Sequence, residues 1–170
     1  QSVGAQEVTL KFHHIWNPQA MAAVNVIAPW CEKVAKESSN RLKCQILPAM
    51  SGGGTPAQLV DRIKDGVDDV TITLPGYTAG RFPSTEVFEL PFMTNSAEAG
   101  ARATWDYMNK YSLKEFPGTK LLATWVHDEG YVHTTSKPIH TLADFKGLKV
   151  RAPTRQTNKL LAALGANPVG

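Results

Sequence analysis

Val8–Leu47 reads VTLKFHHIWNPQAMAAVNVIAPWCEKVAKESSNRLKCQIL, and its changes of period set the fold. Val8–Phe12 alternates apolar and polar residues, the signature of a half-buried strand, and runs into His13, His14, Ile15, Trp16, Asn17 and Pro18 as a loop. Over Gln19–Ser38 the period becomes helical, with Val24, Ile27, Ala28, Cys31, Val34 and Ala35 on one face. Pro29 inside this stretch predicts a kink or a late helix start, because proline brings no N–H to the preceding turn. Leu42–Leu47 alternates again and stops at Pro48. Strand, helix and strand in succession are the repeating unit of a parallel α/β sheet.

The same alternation continues outward. Ser51–Pro56 forms a loop in which Thr55 caps, and Pro56 opens, a helix that holds Leu59, Val60 and Ile63 inward and ends at Gly66. Val67–Leu74 reads as a strand, Glu86–Phe92 as extended chain, and Asn95 or Ser96 starts an amphipathic helix to about Leu113. Lys120–His127 and Gly130–Ser136 read as strands, Thr141–Phe145 as one helical turn, Leu148–Arg151 as a short strand and Thr154–Leu164 as a helix. Asn167–Gly170 starts a further strand.

Composition narrows the class. The 170 residues are 42% hydrophobic and 19% charged, which excludes an intrinsically disordered chain. Lys+Arg 18 against Asp+Glu 15 gives a net charge of +3, too mild and too dispersed for a dedicated nucleic-acid binder. No apolar run approaches the ~20 residues of a membrane-spanning helix, so a soluble chain is expected. Cys31 and Cys44 follow no metal-binding spacing. They are either two small core residues or one disulfide between helix and strand, the latter requiring an oxidising compartment.

Few patterns carry chemistry. His127, Asp128, Glu129 and His133 are close enough in sequence to suggest a metal-dependent enzyme, but the spacing matches no zinc motif. No G-x-S-x-G elbow occurs, and Gly52-Gly53-Gly54 lacks the frame of a phosphate-binding loop. Arg151 is more informative. It closes a short apolar strand and precedes a helix, the place where open α/β sheets bind ligands. Its planar, permanently charged fork suits a carboxylate, and Arg155 is a second candidate one turn later. Trp16, Tyr77 and Phe92 sit at strand-end positions that suit the apolar wall of a small-molecule pocket. One of His13 and His14 can line the same pocket, since adjacent strand residues face opposite sides.

Thr141-Leu142-Ala143-Asp144-Phe145-Lys146-Gly147-Leu148-Lys149-Val150-Arg151-Ala152-Pro153-Thr154 resembles the signature of the periplasmic substrate-binding proteins of TRAP transporters, the DctP-like family. The resemblance extends through the His13-His14 loop, Gly53-Gly54-Thr55-Pro56, Lys64–Asp69, Glu89-Leu90-Pro91-Phe92-Met93, Thr135–Ile139 and Leu164–Val169. It implies a periplasmic-binding-protein-like fold of two α/β lobes with mostly parallel sheets. The first lobe would cover residues 1–125, and 126–170 would be the opening part of an incomplete second lobe. It implies a periplasmic protein, not an enzyme, that captures an organic acid without a cofactor or metal and delivers it to the TRAP membrane subunits. A ligand-sensing module on the same fold is the other reading. Arg151, with Arg155, would clamp the carboxylate, and His14, Trp16, Tyr77, Phe92 and His133 would line the pocket. Thr73–Thr78 with Gly80–Pro83 resembles members whose ligands are aromatic or other small monocarboxylates. Family members are longer, so apolar surface left exposed here would favour self-association.

Overall fold

The computed structural model describes residues 6–127 and 130–170. The chain forms two compact units, Gln1–Leu74 and Pro75–Gly170. The lobe boundary expected at residues 125 and 126 lies inside the second unit. Among the described residues no helix is long and apolar enough to cross a membrane.

The first unit is a three-stranded parallel sheet. Strand β1 (Val8–His14) lies at its centre, between β2 (Leu42–Leu47) and β3 (Val70–Ile72). Val8–His13 pairs with Leu42–Leu47, and Phe12–His14 with Val70–Ile72. β1 and β2 are joined through helix α1 (Ala28–Glu37), and β2 and β3 through α2 (Leu59–Lys64). No late helix start is found at Pro29: the chain is helical without a break from Met21 to Glu37, and the turn before Pro29, Ala23–Ile27, is π-helical, with Ala28 N–H reaching back to Ala23 O. The wider π turn is where the helix accommodates the proline ring and its missing N–H. Thr55 caps the short 3-10 helix Pro56–Gln58 that leads into α2, with Gln58 accepting a hydrogen bond from Thr55 N–H at 2.8 Å. Phe12, Ile27 and Cys31 form the core, with Trp16, Trp30, Cys44, Val70 and Ile72 packed on it. Of the two cysteine readings the disulfide is the one found: Cys31 on α1 bonds Cys44 on β2, with Cα atoms 5.6 Å apart.

In the second unit, helix α3 (Ala97–Tyr107) is capped by Ser96, whose hydroxyl accepts from Ala99 N–H at 3.2 Å. It continues as a π-helical turn to Ser112 and a 3-10 turn to Glu115. Strands β4 (Lys149–Arg151) and β5 (Asn167–Val169) pair in parallel around helix α4 (Arg155–Ala163). Ala152, Leu161 and Ala166 form the core of this βαβ element, backed by Phe145 and Val150. Phe82 stacks on Phe116 at 4.5 Å in a separate apolar contact.

Three expectations are corrected. The strand read over 67–74 is confined to Val70–Ile72. Glu86–Phe92 is not extended: Thr85–Glu89 is a 3-10 helix, and Phe92 takes a left-handed backbone, φ 64°, with its ring in solvent. Residues 120–127 and 130–136 carry no β-ladder among the described residues, and Leu122, Trp125, Tyr131 and Val132 are exposed. β-propensity is a preference for packing against neighbouring strands, so apolar β-branched sequence without a neighbour gives no ladder.

Candidate functional site

β1 is flanked on both sides, and the chain crosses from β2 past β1 to reach β3. The gap beyond the carboxyl ends of β1 and β3 is therefore the switch point at which open parallel sheets bind ligands. On the β2 side, Met50 N–H bonds His14 O at 3.1 Å and Ala49 N–H bonds Trp16 O at 2.9 Å, which ties the two strand-end loops together.

His13 and His14 end β1, point to opposite faces and are both fully buried. His13 Nδ1 lies 2.8 Å from Asp68 Oδ2. Arg62 Nε meets the same oxygen at 2.5 Å, and Arg62 Nη2 reaches Asp68 Oδ1 at 3.2 Å and Gly52 O at 2.9 Å. Burial by itself would push the Asp68 carboxyl up; hydrogen bonds from Arg62 and His13, with their charges, outweigh it and hold Asp68 below the usual carboxylate range. On the other face, His14 Nδ1 accepts from Trp16 N–H at 3.2 Å, so the proton of the neutral ring sits on Nε2. Burial, and then the neighbouring His13, push the His14 imidazole down, which favours that neutral form. His14 Nε2 and Thr73 Oγ1, at the ends of β1 and β3, are buried without hydrogen-bond partners among the described residues. Trp16 lies tilted over the His14 ring at 5.9 Å.

In the second unit Arg151 ends β4 with its side chain exposed, and among the described residues no hydrogen bond or ion pair engages its guanidinium. Thr154 caps α4, its hydroxyl accepting from Thr157 N–H at 3.2 Å. Arg155 is differently placed. Its Nε and Nη2 both donate to Glu86 Oε2, at 3.2 and 2.6 Å, and Gln156 Nε2 joins them at 2.7 Å. Gly80 N–H donates to Glu86 Oε1 at 3.2 Å. The Arg155 hydrogen bond, over the opposing effect of burial, holds the Glu86 carboxyl below its usual range. Tyr77 closes the 3-10 turn Pro75–Tyr77 and is half-buried. His127 and His133 are exposed, and Asp128 and Glu129 lie outside the described residues. Among the described residues no group of three metal-ligating side chains is assembled. An open groove of about 570 Å³ lined by Pro83, Ser84, Tyr107, Tyr111, Lys114 and Glu115 contains none of these candidates.

Sequence reasoning misses Asp68, Arg62, Glu86 and Glu89. Asp68 and Arg62 meet His13 only through the tertiary fold, and nothing in their local sequence marks them. Glu86 and Glu89 do carry a signal in their spacing of three, which puts both on one side of a 3-10 turn. Read as extended chain, the same spacing puts them on opposite faces.

Over residues 12–170 the sequence matches the family described as bacterial extracellular solute-binding protein, family 7. The chain belongs to that family. This family 7 chain is similar to a TRAP solute-binding protein from Rhodoferax ferrireducens, solved with copurified benzoate: 55% identity and a TM-score of 0.92, covering 96% of this chain and 51% of that one. It is also similar to a marine-metagenome TRAP solute-binding protein specific for aromatic acid ligands, solved with 3-hydroxybenzoate. That match has 46% identity, a TM-score of 0.93 and coverage of 97% and 52%. A Bordetella bronchiseptica protein with bound (R)- and (S)-mandelate matches at 33% identity and a TM-score of 0.85, covering 95% and 51%. The chain spans about half the length of these family 7 relatives. The α/β fold with parallel sheets is the one these solute-binding proteins share with it.

Proposed function

We propose that this chain captures an organic acid outside the cytoplasm, an aromatic or other small monocarboxylate, and hands it to the membrane subunits of a TRAP transporter. The observation that carries the reading is Arg151. Its guanidinium stands at the carboxyl end of a parallel strand, beside a capped helix, with no partner among the described residues. A carboxylate fits that fork through two parallel charge-assisted hydrogen bonds. The benzoate, 3-hydroxybenzoate and mandelate held by the similar proteins support the ligand class. Arg155 has given two N–H groups to Glu86 and serves as a supporting charge. His14, Trp16, Tyr77, Phe92 and His133 are the proposed contacts to the ligand body, and residues 1–125 and 126–170 the proposed lobe division. The role is binding and release rather than catalysis. The Cys31–Cys44 disulfide supports a periplasmic location, where disulfides persist.

Calorimetric titration of the full chain with benzoate tests the reading. Saturable binding is expected. Arg151→Ala should weaken it by roughly 2–5 kcal/mol, the usual cost of losing one side of a desolvated charge pair. An unchanged affinity in that variant would remove Arg151 from the site.

A further inference from the structure

Glu86 and Glu89 leave the same side of the 3-10 helix Thr85–Glu89, yet their surroundings differ. Glu86 has a cation, an amide side chain and a backbone N–H of its own. Glu89 has no such set. One of its carboxyl oxygens lies so close over the α-carbon of Gly76 that a Cβ there would collide with it. The Thr154 side chain lies over the same Gly76 α-carbon, beside that oxygen. The Oε2 of Glu89 is buried with no hydrogen-bond partner among the described residues. Among the described residues, the charged and titratable groups that act on Glu89 are Glu86, Arg155 and His127.

Burial pushes the Glu89 carboxyl above its usual range, more than the neighbouring Thr154 hydroxyl holds it down; Glu86 adds to the rise, and Arg155 and His127 oppose it. Two carboxyls whose environments drive them apart in this way mark one as the fixed anion and the other as the proton carrier. Thr154, whose side chain meets the same Gly76 α-carbon as Glu89, follows Arg151 by three residues, a span of at most about 10 Å of chain. An anion bound by Arg151 is thus added to the neighbourhood of a carboxyl that already resists ionisation.

We propose that Glu89 is a proton-carrying group of the carboxylate site, so that capture of an anion at Arg151 is accompanied by uptake of part of a proton from solvent onto Glu89. The inference rests on the reading of Arg151 as the carboxylate holder. The proton comes from the buffer and goes to the Glu89 carboxyl; no bond between heavy atoms is made or broken. A nearby negative charge disfavours ionised Glu89. By reciprocity, protonated Glu89 favours the anion. Protonation also converts the unmatched Oε2 from an acceptor into a donor.

The test is calorimetric titration of the full chain with benzoate, in buffers of different ionisation enthalpy, at pH values where benzoate itself is fully ionised. The slope of observed heat against buffer enthalpy counts protons taken up. The wild type should take up a measurable fraction of one proton per benzoate, rising as the pH is lowered. Glu89→Gln should bind benzoate with a slope of zero, and His127→Gln should keep the wild-type slope. A zero slope in the wild type overturns the linkage, as does a slope that survives Glu89→Gln or disappears in His127→Gln. If Glu89→Gln does not fold, carboxyl-carbon NMR of Glu89 in the wild type decides: benzoate should raise its titration midpoint, and an unmoved midpoint overturns the proposal. Failure of benzoate and its hydroxylated analogues to bind at all overturns the carboxylate reading itself, and the linkage with it. Binding without proton uptake overturns the linkage alone.

Discussion

His13 shows what one side chain gains from its place in the fold. It is fully buried, and a buried imidazole needs a partner for each ring nitrogen that bears a proton. Asp68 supplies one, and Arg62 in turn fixes Asp68. Removing Asp68 leaves Arg62 and His13 without their anion, so Asp68→Ala should lower stability by roughly 3–5 kcal/mol, as breaking a buried ion pair does. The pH dependence has a definite sign. The Asp68 carboxyl is held below its unfolded value, so its contribution is complete above the ordinary carboxylate range and is lost as the pH falls through it. The gap in denaturation midpoint between wild type and Asp68→Ala should therefore be widest near neutrality and close on acidification. A gap that is constant with pH would show that the charge of Asp68 does not matter. Nothing in the stretch around His13 marks this network, because His13 and Asp68 lie 55 residues apart in the chain.

Elements show where sequence periodicity works and where contact overrides it. The strand β1, the disturbance of the helix at Pro29, the Thr55 cap and the helix after Arg151 follow local rules of alternation, proline chemistry and capping, and all four are legible in the sequence. The 3-10 helix Thr85–Glu89 is not. Arg155 and Gln156 converge on one oxygen of Glu86 from 69 and 70 residues away in the chain, a meeting that no local pattern records. The loop before α2 is likewise set by contact. A Cβ on Gly52 would lie 2.9 Å from His13 Cε1 and 3.1 Å from Leu47 Cδ1. Gly52→Ala should thus cost about 1–3 kcal/mol through overpacking, read as a lower melting temperature. An unaltered melting temperature would mean that the loop gives way freely and that the close approach to His13 is not a constraint.

At the scale of the molecule, two units each have their own core, and the disulfide lies wholly in the first. Cys31 and Cys44 close a short loop, with a sequence separation of 13. In the chain-entropy account such a link stabilises by about 3 kcal/mol. Reduction should therefore lower amide-exchange protection in β1 and β2 while α4 keeps its own. Equal loss in both units would contradict separate cores. By itself the sequence determined the α/β class, the order of most elements, the family and the place of Arg151 at a strand end, because alternation, capping and strand-end position are local properties of neighbouring residues. The tertiary structure alone decided that Cys31 meets Cys44, that Asp68 and Arg62 hold His13, that Glu86 occupies Arg155, and that Glu89 keeps one carboxyl oxygen buried beside the cap of α4. Each of these joins side chains brought together by folding, and one-dimensional periodicity carries no information about which distant partner a side chain will meet.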